Sequence, residues 1–432
     1  MRLFRFLAIN RRSLIILLCS YLHCVDLLAQ VYLEKGKNRY TFAQTTIGYD
    51  FDYTPSLGHS QFVNSQNQLE KFNFRNKVSP TITITGLHFW GHAEFFTGFS
   101  FLNISVGKSS TNYLFNRSAG TGAKFFPFAL KAKTLRPYIG FSIAGFKYKK
   151  DEAATYRRVE YPVLFGLTYS FKRGMLEFGA AYYYANDYNY FISKTQQVKL
   201  ITPPLSLNVD FKYYIDFSMS SYKRDLNGEN KRILETLKAK KRRSSFFIAA
   251  GPAYSFILSE SNYNKEKRPY LDDYKITSIF PDLGLGYYNY ASDAAVNLSY
   301  RFYATALNGH SVQQNVTRKS LGIEAYKFLG DYHGFVPFIG PILSLESISA
   351  KETENDVRVF SKQKDFITGG IIAGWDIRPT RTDWWGIRTN IRYFPKLDIN
   401  VDGSQSLSLS QLELNFLQLV IYPNRFVAYR KN

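Results

Sequence analysis

Between Tyr161 and Ile215, apolar and polar residues alternate with a period of two. Tyr161, Val163, Phe165, Leu167, Tyr169 and Phe171 fall on one side of an extended chain, and Pro162, Leu164, Gly166, Thr168 and Ser170 on the other. Successive side chains of a strand point to opposite faces, so this is a strand with one wholly apolar face. Lys172, Arg173 and Gly174 make a tight turn, after which Leu176, Phe178, Ala180, Tyr182 and Tyr184 alternate with Glu177, Gly179, Ala181 and Tyr183. The third strand is the sharpest, with Leu205, Leu207, Val209, Phe211 and Tyr213 opposed to Ser206, Asn208, Asp210 and Lys212. A half-buried soluble sheet alternates in the same way. A transmembrane β-barrel is favoured here by an export signal, strands of about 9 to 11 residues edged with aromatics, and connections that alternate long and short.

Extended along the chain, the pattern predicts eight strands, near 40–53, 79–89, 92–102, 118–126, 136–148, 160–171, 174–184 and 203–217. Eight more are predicted near 245–258, 277–288, 293–304, 317–328, 335–347, 366–377, 384–394 and 406–421. The two sets read as copies of one unit. Pro137, Tyr138, Ile139 and Gly140 match Pro337, Phe338, Ile339 and Gly340, and Gly122 matches Gly322, all at an offset of 200 residues. In the first unit, 54–78, 103–117, 149–159 and 185–202 are long connections, whereas those near Gly91, 127–135 and 172–173 are short. In the second, 259–276, 305–316, 348–365 and 395–405 are long, and the turns near Asn289, Asp331 and Arg381 are short. Outer-membrane barrels place long loops outside and short turns in the periplasm, so both units are expected to begin and end in the periplasm.

Residues 1–29 read as a secretory signal, with Arg2, Arg5, Arg11 and Arg12, an apolar core from Leu14 to Leu18, and Leu27, Leu28 and Ala29 before a cleavage site at Gln30. Cys24 lacks the small preceding residue that lipidation requires, since His23 stands there. Cys19 and Cys24 are the only cysteines, so the mature chain is expected to hold neither disulfides nor cysteine metal sites. Aromatics make up 17% of the chain, which suits strands and interfacial girdles. Mean hydropathy is −0.24, and the mature part has no apolar run of about 18 residues, which argues against membrane helices.

The formal charge is +21, of which residues 1–29 contribute +3. Basic residues are scattered over loops and turns without a nucleic-acid-binding motif, so lipid phosphates are the expected partner and nucleic acid is not. Residues 218–244 form a basic linker of net +6, carrying nine Lys and Arg against three acidic residues. Ile233, Leu234 and Leu237 line one face of a potential short helix, but a solvated periplasmic linker is the simpler state, with contact to periplasmic-leaflet lipid or peptidoglycan as a functional reading.

With its signal peptide, strand period and loop order, the chain resembles the eight-stranded outer-membrane β-barrels of Gram-negative bacteria, the OmpA-like and OmpX-like group, present twice over nearly all of residues 31–421. The resemblance implies an integral outer-membrane protein inserted by the assembly machinery. It departs from the group at the C-terminus, which runs past Phe426 and Tyr429 to Arg430, Lys431 and Asn432 where an aromatic usually ends the chain. The expected fold is all-β: a transmembrane antiparallel up-and-down barrel of 16 strands in two eight-stranded repeats. The expected organisation is a signal peptide at 1–29, a first repeat at 30–217, the linker at 218–244 and a second repeat at 245–432. Two tandem barrels and one 16-stranded barrel both satisfy the pattern. Eight strands leave an interior that side chains fill and sixteen enclose a channel. About 27 linker residues, spanning on the order of 29 Å as a flexible coil, tilt the choice to two.

By parity, the inward charges are Glu94, Glu177, Asp210, Lys212, Arg301, Glu324, Asp376, Arg388, Arg392 and Glu413. Their mixed signs fit either a salt-bridged plug or a charged pore wall. A pore would lean to small anionic solutes through Arg301, Arg388 and Arg392, because pore-lining charge sets ion preference. A filled double barrel would instead act through its outer loops on a surface partner or lipopolysaccharide, with Lys108, Arg117, Lys149, Lys150, Arg157 and Arg158 as candidate phosphate contacts; ordinary solvation explains such cations equally well. His88 and His92 beside Glu94, and His310 next to Ser311, are read as polar interfacial and loop residues. There is no phosphate-binding glycine loop, HExxH or calcium loop, so neither enzymatic activity nor a cofactor is expected.

Overall fold

The computed structural model describes residues 42–425 apart from 89–90, 108–110, 132, 152, 172, 216–243, 272–274, 278, 330–333, 379–383 and 404. The signal segment, the basic linker except Ser244, and the C-terminal departure after Arg425 therefore lie outside the described residues, as do Asp331, Arg381 and Lys108.

Eight strands make the N-terminal ring: Phe42–Thr54, Asn76–His88, Ala93–Ser100, Thr121–Phe125, Thr134–Lys150, Val163–Ser170, Gly174–Tyr182 and Leu205–Ile215. Each pairs antiparallel with the next, and the first also pairs with the last, with Tyr49 opposite Phe211 at the closing seam. The C-terminal ring closes in the same way from Ser245–Ile257, Phe280–Asn289, Ala294–Gly309, Val312–Phe328, Gly334–Glu354, Val357–Arg378, Trp385–Phe394 and Gln411–Ile421. Its seam sets Ile248 opposite Ile421. The sixteen strands thus form two barrels and not one wide one.

The alternation that marks these strands in the sequence sorts their side chains. Along Phe280–Asn289, buried and exposed positions alternate without a break. Leu283, Leu285, Val296, Leu298, Ile323, Leu343 and Ile371 stand exposed on the outside, as do Ile47, Tyr49, Phe51, Ile139, Phe165, Leu167 and Val209 on the N-terminal barrel. Lysines, arginines and carboxylates occupy the inside. A soluble barrel has the reverse arrangement. An apolar exterior around a charged interior is stable only where lipid replaces water outside.

Two connections differ from the sequence expectation. Residues 305–316 and 348–365, expected as long loops, are strand. Ala294–Gly309 and Val312–Phe328 meet through His310 and Ser311 alone, and Gly334–Glu354 and Val357–Arg378 through Asn355 and Asp356. All four turn residues have positive φ, from 49° to 64°, the two-residue geometry whose twist matches that of the flanking strands. The last strand pair is 21 and 22 residues long, against the 9 to 11 or so that cross a bilayer. Polar residues such as Lys351, Gln363 and Asp365 on the outward face of the surplus hid its strand character. The other long connections also carry structure, including the hairpins His59–Asn73 and Asp187–Ile201 and, over the mouth of the C-terminal barrel, the helix Asn262–Lys267 and the hairpin Asp398–Ser408.

Candidate functional site

Each barrel is filled in three layers. In the C-terminal barrel, the end with the short turns is closed by Phe247, Tyr288, Tyr326, Phe328, Phe338 and Tyr422, all buried. The Tyr326 and Phe338 rings lie 4.6 Å apart. At the other end the helix and hairpin fold inward, placing Tyr263, Leu397, Ile399, Leu407 and Leu409 in the same apolar cluster. Tyr263 and Arg268 both donate to Glu352, at 3.0 and 2.8 Å, and Arg268 also reaches Glu354.

Between these layers lies a chain of ion pairs. Arg392 bridges Asp282 and Glu324, each at 2.7 Å. Glu324 continues to Arg301 at 3.1 Å, Arg301 to Glu413 at 3.3 Å, and Glu413 to Arg318. Arg318 ends the chain with a bidentate bond to Glu346 at 2.7 and 2.8 Å. These seven residues come from six of the eight strands, so the chain crosses the lumen. Arg388 makes a separate bidentate pair with Asp376 at 2.7 and 2.9 Å and donates to Tyr326. A bidentate guanidinium–carboxylate pair is the strongest ionic contact available to side chains, and it holds both groups in place.

The N-terminal barrel repeats this plan with other residues. Leu87, Phe126, Leu130, Met175 and Tyr214 close its short-turn end, and Arg136 donates to the Gly91 carbonyl with its guanidinium 4.0 Å over the Phe126 ring. In the middle, Lys212 lies between Glu94 at 2.5 Å and Glu177 at 2.7 Å, with Asp210 at 3.7 Å. Lys124 pairs with Glu177, which also accepts from the Tyr138 hydroxyl at 2.9 Å. Beyond them lies a cavity of about 90 Å³ lined by Asp50, Asp52, Asp210, Lys124 and Tyr183, room for a few waters. An aromatic cluster including Phe74, Phe115, Tyr148 and Tyr190 caps the far end.

The ten parity-derived charges Glu94, Glu177, Asp210, Lys212, Arg301, Glu324, Asp376, Arg388, Arg392 and Glu413 are thus all buried and ion-paired in the two interiors, Asp210 through its longer contact with Lys212. Sequence reasoning missed their partners Asp282, Arg318 and Glu346, although the even parity shared with Glu324 aims Arg318 inward.

The loop cations do not form one surface. Arg117 is a correction: it is a buried strand residue in a bidentate pair with Glu160 at 2.7 and 2.9 Å, because the short strand Tyr113–Arg117 pairs with the strand Thr134–Lys150 and turns Arg117 inward. Lys150 is likewise buried, against Asp151. Lys149, Arg157 and Arg158 are half-buried; Arg158 donates to the Arg157 carbonyl at 2.8 Å and stands 4.1 Å over the Tyr156 ring. Among the histidines, His92 makes a 2.9 Å contact with the Phe126 carbonyl through Nδ1.

The barrels meet at their long-connection ends. Thr155 donates its backbone N–H to Asn308 at 3.2 Å, and Lys194 pairs with Glu354 at 2.5 Å. His310, at its turn, stands edge-on to Tyr270 with ring centroids 5.6 Å apart. Burial pushes the imidazole below its ordinary 6.5, and the Lys194 ammonium adds to this against a backbone hydrogen bond with Phe191. The Lys194 hydrogen bond, aided by Arg268, holds Glu354 below its ordinary 4.5 despite partial burial.

Two closed antiparallel rings with apolar exteriors and charged, filled interiors define an outer-membrane β-barrel protein. No family model matches the chain, and no curated protein matches its sequence. Among solved structures it is similar to Neisserial surface protein A, at 17% identity over 41% of this chain and 96% of that one, with a TM-score of 0.29. It is similar to Ail, the attachment invasion locus protein of Yersinia pestis, at 14% identity over 41% of this chain and 97% of that one, TM-score 0.27. An outer-membrane channel from Pseudomonas putida F1 aligns over 90% of this chain and 99% of its own at 10% identity, TM-score 0.20. Such scores are low, and the class rests on the rings and their apolar belt.

Proposed function

We propose that this chain is a non-enzymatic surface protein: two filled barrels, exported by the N-terminal signal and inserted by the outer-membrane assembly machinery, that hold their strand extensions and hairpins outward to meet a surface partner or lipopolysaccharide. The long connections face the exterior and the barrels descend from one duplicated unit. The observation that carries this reading is the lumen-crossing chain from Asp282 to Glu346. The pore alternative needs Arg301, Arg388 and Arg392 to present charge to a passing solute, and each is committed to carboxylates instead. Apolar layers above and below leave the ionic layer without an aqueous approach. In support of a binding role, the polar and aromatic outer surface is held by two barrels joined at several contacts, so a partner would meet a preorganised surface.

The test is current across a planar bilayer after refolding the mature chain. Protein shown to be folded by circular dichroism and heat-modifiable gel migration should be silent. Steady stepwise conductance from the same preparation would overturn the reading.

A further inference from the structure

The long connections of the N-terminal barrel build a four-stranded sheet in the order Asp187–Phe191, Gln197–Ile201, His59–Val63 and Leu69–Asn73. One of its edges is open in an unusual place. Within the barrel, Gly174–Tyr182 is paired on both sides, with Val163–Ser170 and with Leu205–Ile215. The next strand along the chain, Asp187–Phe191, pairs on one side only, with Gln197–Ile201. Tyr156–Glu160, which leads into Val163–Ser170, pairs with Thr134–Lys150 alone. The ladder that joins these two parts of the wall in the membrane is therefore missing outside it.

The gap opens on a cleft of about 530 Å³ shared with the second barrel. Asp187, Tyr188, Asn189, Tyr190 and Phe191 all line this cleft. Successive side chains of a strand point to opposite faces, so an unbroken run of lining residues means that the strand meets the cleft with its edge. Backbone bonds from Thr202 to Asn186 at 2.8 Å and from Ile192 to Gln196 at 3.0 Å fix the phase of the hairpin ladder. Bonded and non-bonded pairs alternate in an antiparallel ladder. The backbone groups of Tyr188 and Tyr190 are therefore spent on Leu200 and Val198, and those of Asp187, Asn189 and Phe191 point into the cleft. Among the described residues, the Phe191 carbonyl accepts from His310, and the other outward groups of the three residues meet no protein partner.

The flanking side chains suit a strand as well. Tyr188 packs in the first barrel's aromatic cluster with Tyr156, their rings 5.8 Å apart. Phe191, on the opposite face, packs against the second barrel's cluster, which includes Tyr270 and Leu271. Both faces of an incoming strand would meet aromatic or aliphatic groups, while its backbone completes the row of donors and acceptors. A saccharide would have no use for groups at strand spacing.

We propose that the open edge of Asp187–Phe191 is a strand-addition site, where an extended segment of another protein, carrying aromatic or aliphatic side chains, joins as the fifth strand of this sheet. This gives the class of partner for the outward surface proposed above and rests on that reading.

The test selects linear peptides from a phage-displayed random library on the full mature chain folded in detergent. One selected peptide is then followed by fluorescence polarisation and residue-resolved amide exchange. Bound peptide should slow exchange about ten-fold or more at Asp187, Asn189 and Phe191 and leave Tyr188 and Tyr190, already bonded, nearly unchanged. Asn189→Pro removes one outward N–H and spares the ladder, so it should weaken binding about ten-fold. Asn189→Ala, which removes only the side chain, should have little effect. The substitutions lie outside the barrel strands, and both variants should keep their heat-modifiable migration; the exchange pattern of the unaltered chain decides even if proline disturbs the hairpin. Equal loss of binding in the two variants overturns the proposal, as does exchange slowed evenly along the strand or not at all. Failure to select any peptide that protects this edge also overturns it, and retention there of delipidated lipopolysaccharide core oligosaccharide would assign the cleft to a saccharide. Labelling of intact cells by the same peptide bears on the outward orientation alone, so the two readings can fail separately.

Discussion

Gly309 and Ala154 touch where the two barrels meet. A Cβ added at 309 would overlap the Ala154 backbone, and the neighbouring Thr155 to Asn308 hydrogen bond depends on that approach. Glycine is needed here for its missing side chain and not for an unusual φ.

Gly309→Val should therefore part the outer ends while leaving both barrels folded. The mature chain, expected to be free of cysteine, gives a clean background for a reporter: Lys194→Cys with Glu354→Cys, joined by a short bismaleimide. Crosslinking yield should fall several-fold when Gly309→Val is added, with heat-modifiable migration retained. Equal yields would show that the contact does not hold the barrels together.

Arg392→Met should destabilise the C-terminal barrel by about 3–5 kcal/mol, because Asp282 and Glu324 would remain buried without their shared cation. Lys362→Met, on the exposed outer extension, should stay within about 0.5 kcal/mol. Urea midpoints in lipid vesicles measure both, and neither variant should conduct.

Acid should loosen the contact between the barrels. A histidine held below its ordinary value costs the folded state nothing while neutral, and destabilises it increasingly as pH falls through 6.5. Glu354, held low by Lys194, contributes fully above 4.5, and its share is lost as pH falls through its depressed folded value. The two effects have the same sign. With the intrinsic pH dependence of amide exchange divided out, protection in 189–196 and 305–313 should fall between pH 7 and pH 4, and His310→Gln should remove the part that sets in below 6.5. A flat profile would mean that neither group titrates at the contact.

The Asn355–Asp356 turn tolerates only some residues. Asp356→Val, at φ 62°, should cost about 1–2 kcal/mol locally, whereas Asn355→Gly should be nearly neutral. Limited proteolysis of intact cells expressing each variant should cut at this tip in the first and spare it in the second.

The membrane-embedded strands were legible because lipid enforces the period-two pattern on every one of them, and parity alone aims Glu94, Lys212 and Arg392 inward. Outside the membrane that constraint relaxes. Residues 348–365 carry charge on their outward face because water lies there, so their polarity resembles that of a loop although the backbone keeps pairing. Arg117 reads as a loop cation for a related reason: a five-residue strand is too short to declare its parity. The meeting of Gly309 with Ala154 has no local signal, since it depends on where two separately closed rings come to rest.

Each ring is sealed by its own first and last strands, Phe42–Thr54 with Leu205–Ile215 and Ser245–Ile257 with Gln411–Ile421. A closed ring has no open edge through which a neighbour can be added. The chain therefore carries two independent points of completion, and its folding has to reach closure twice, once for each half.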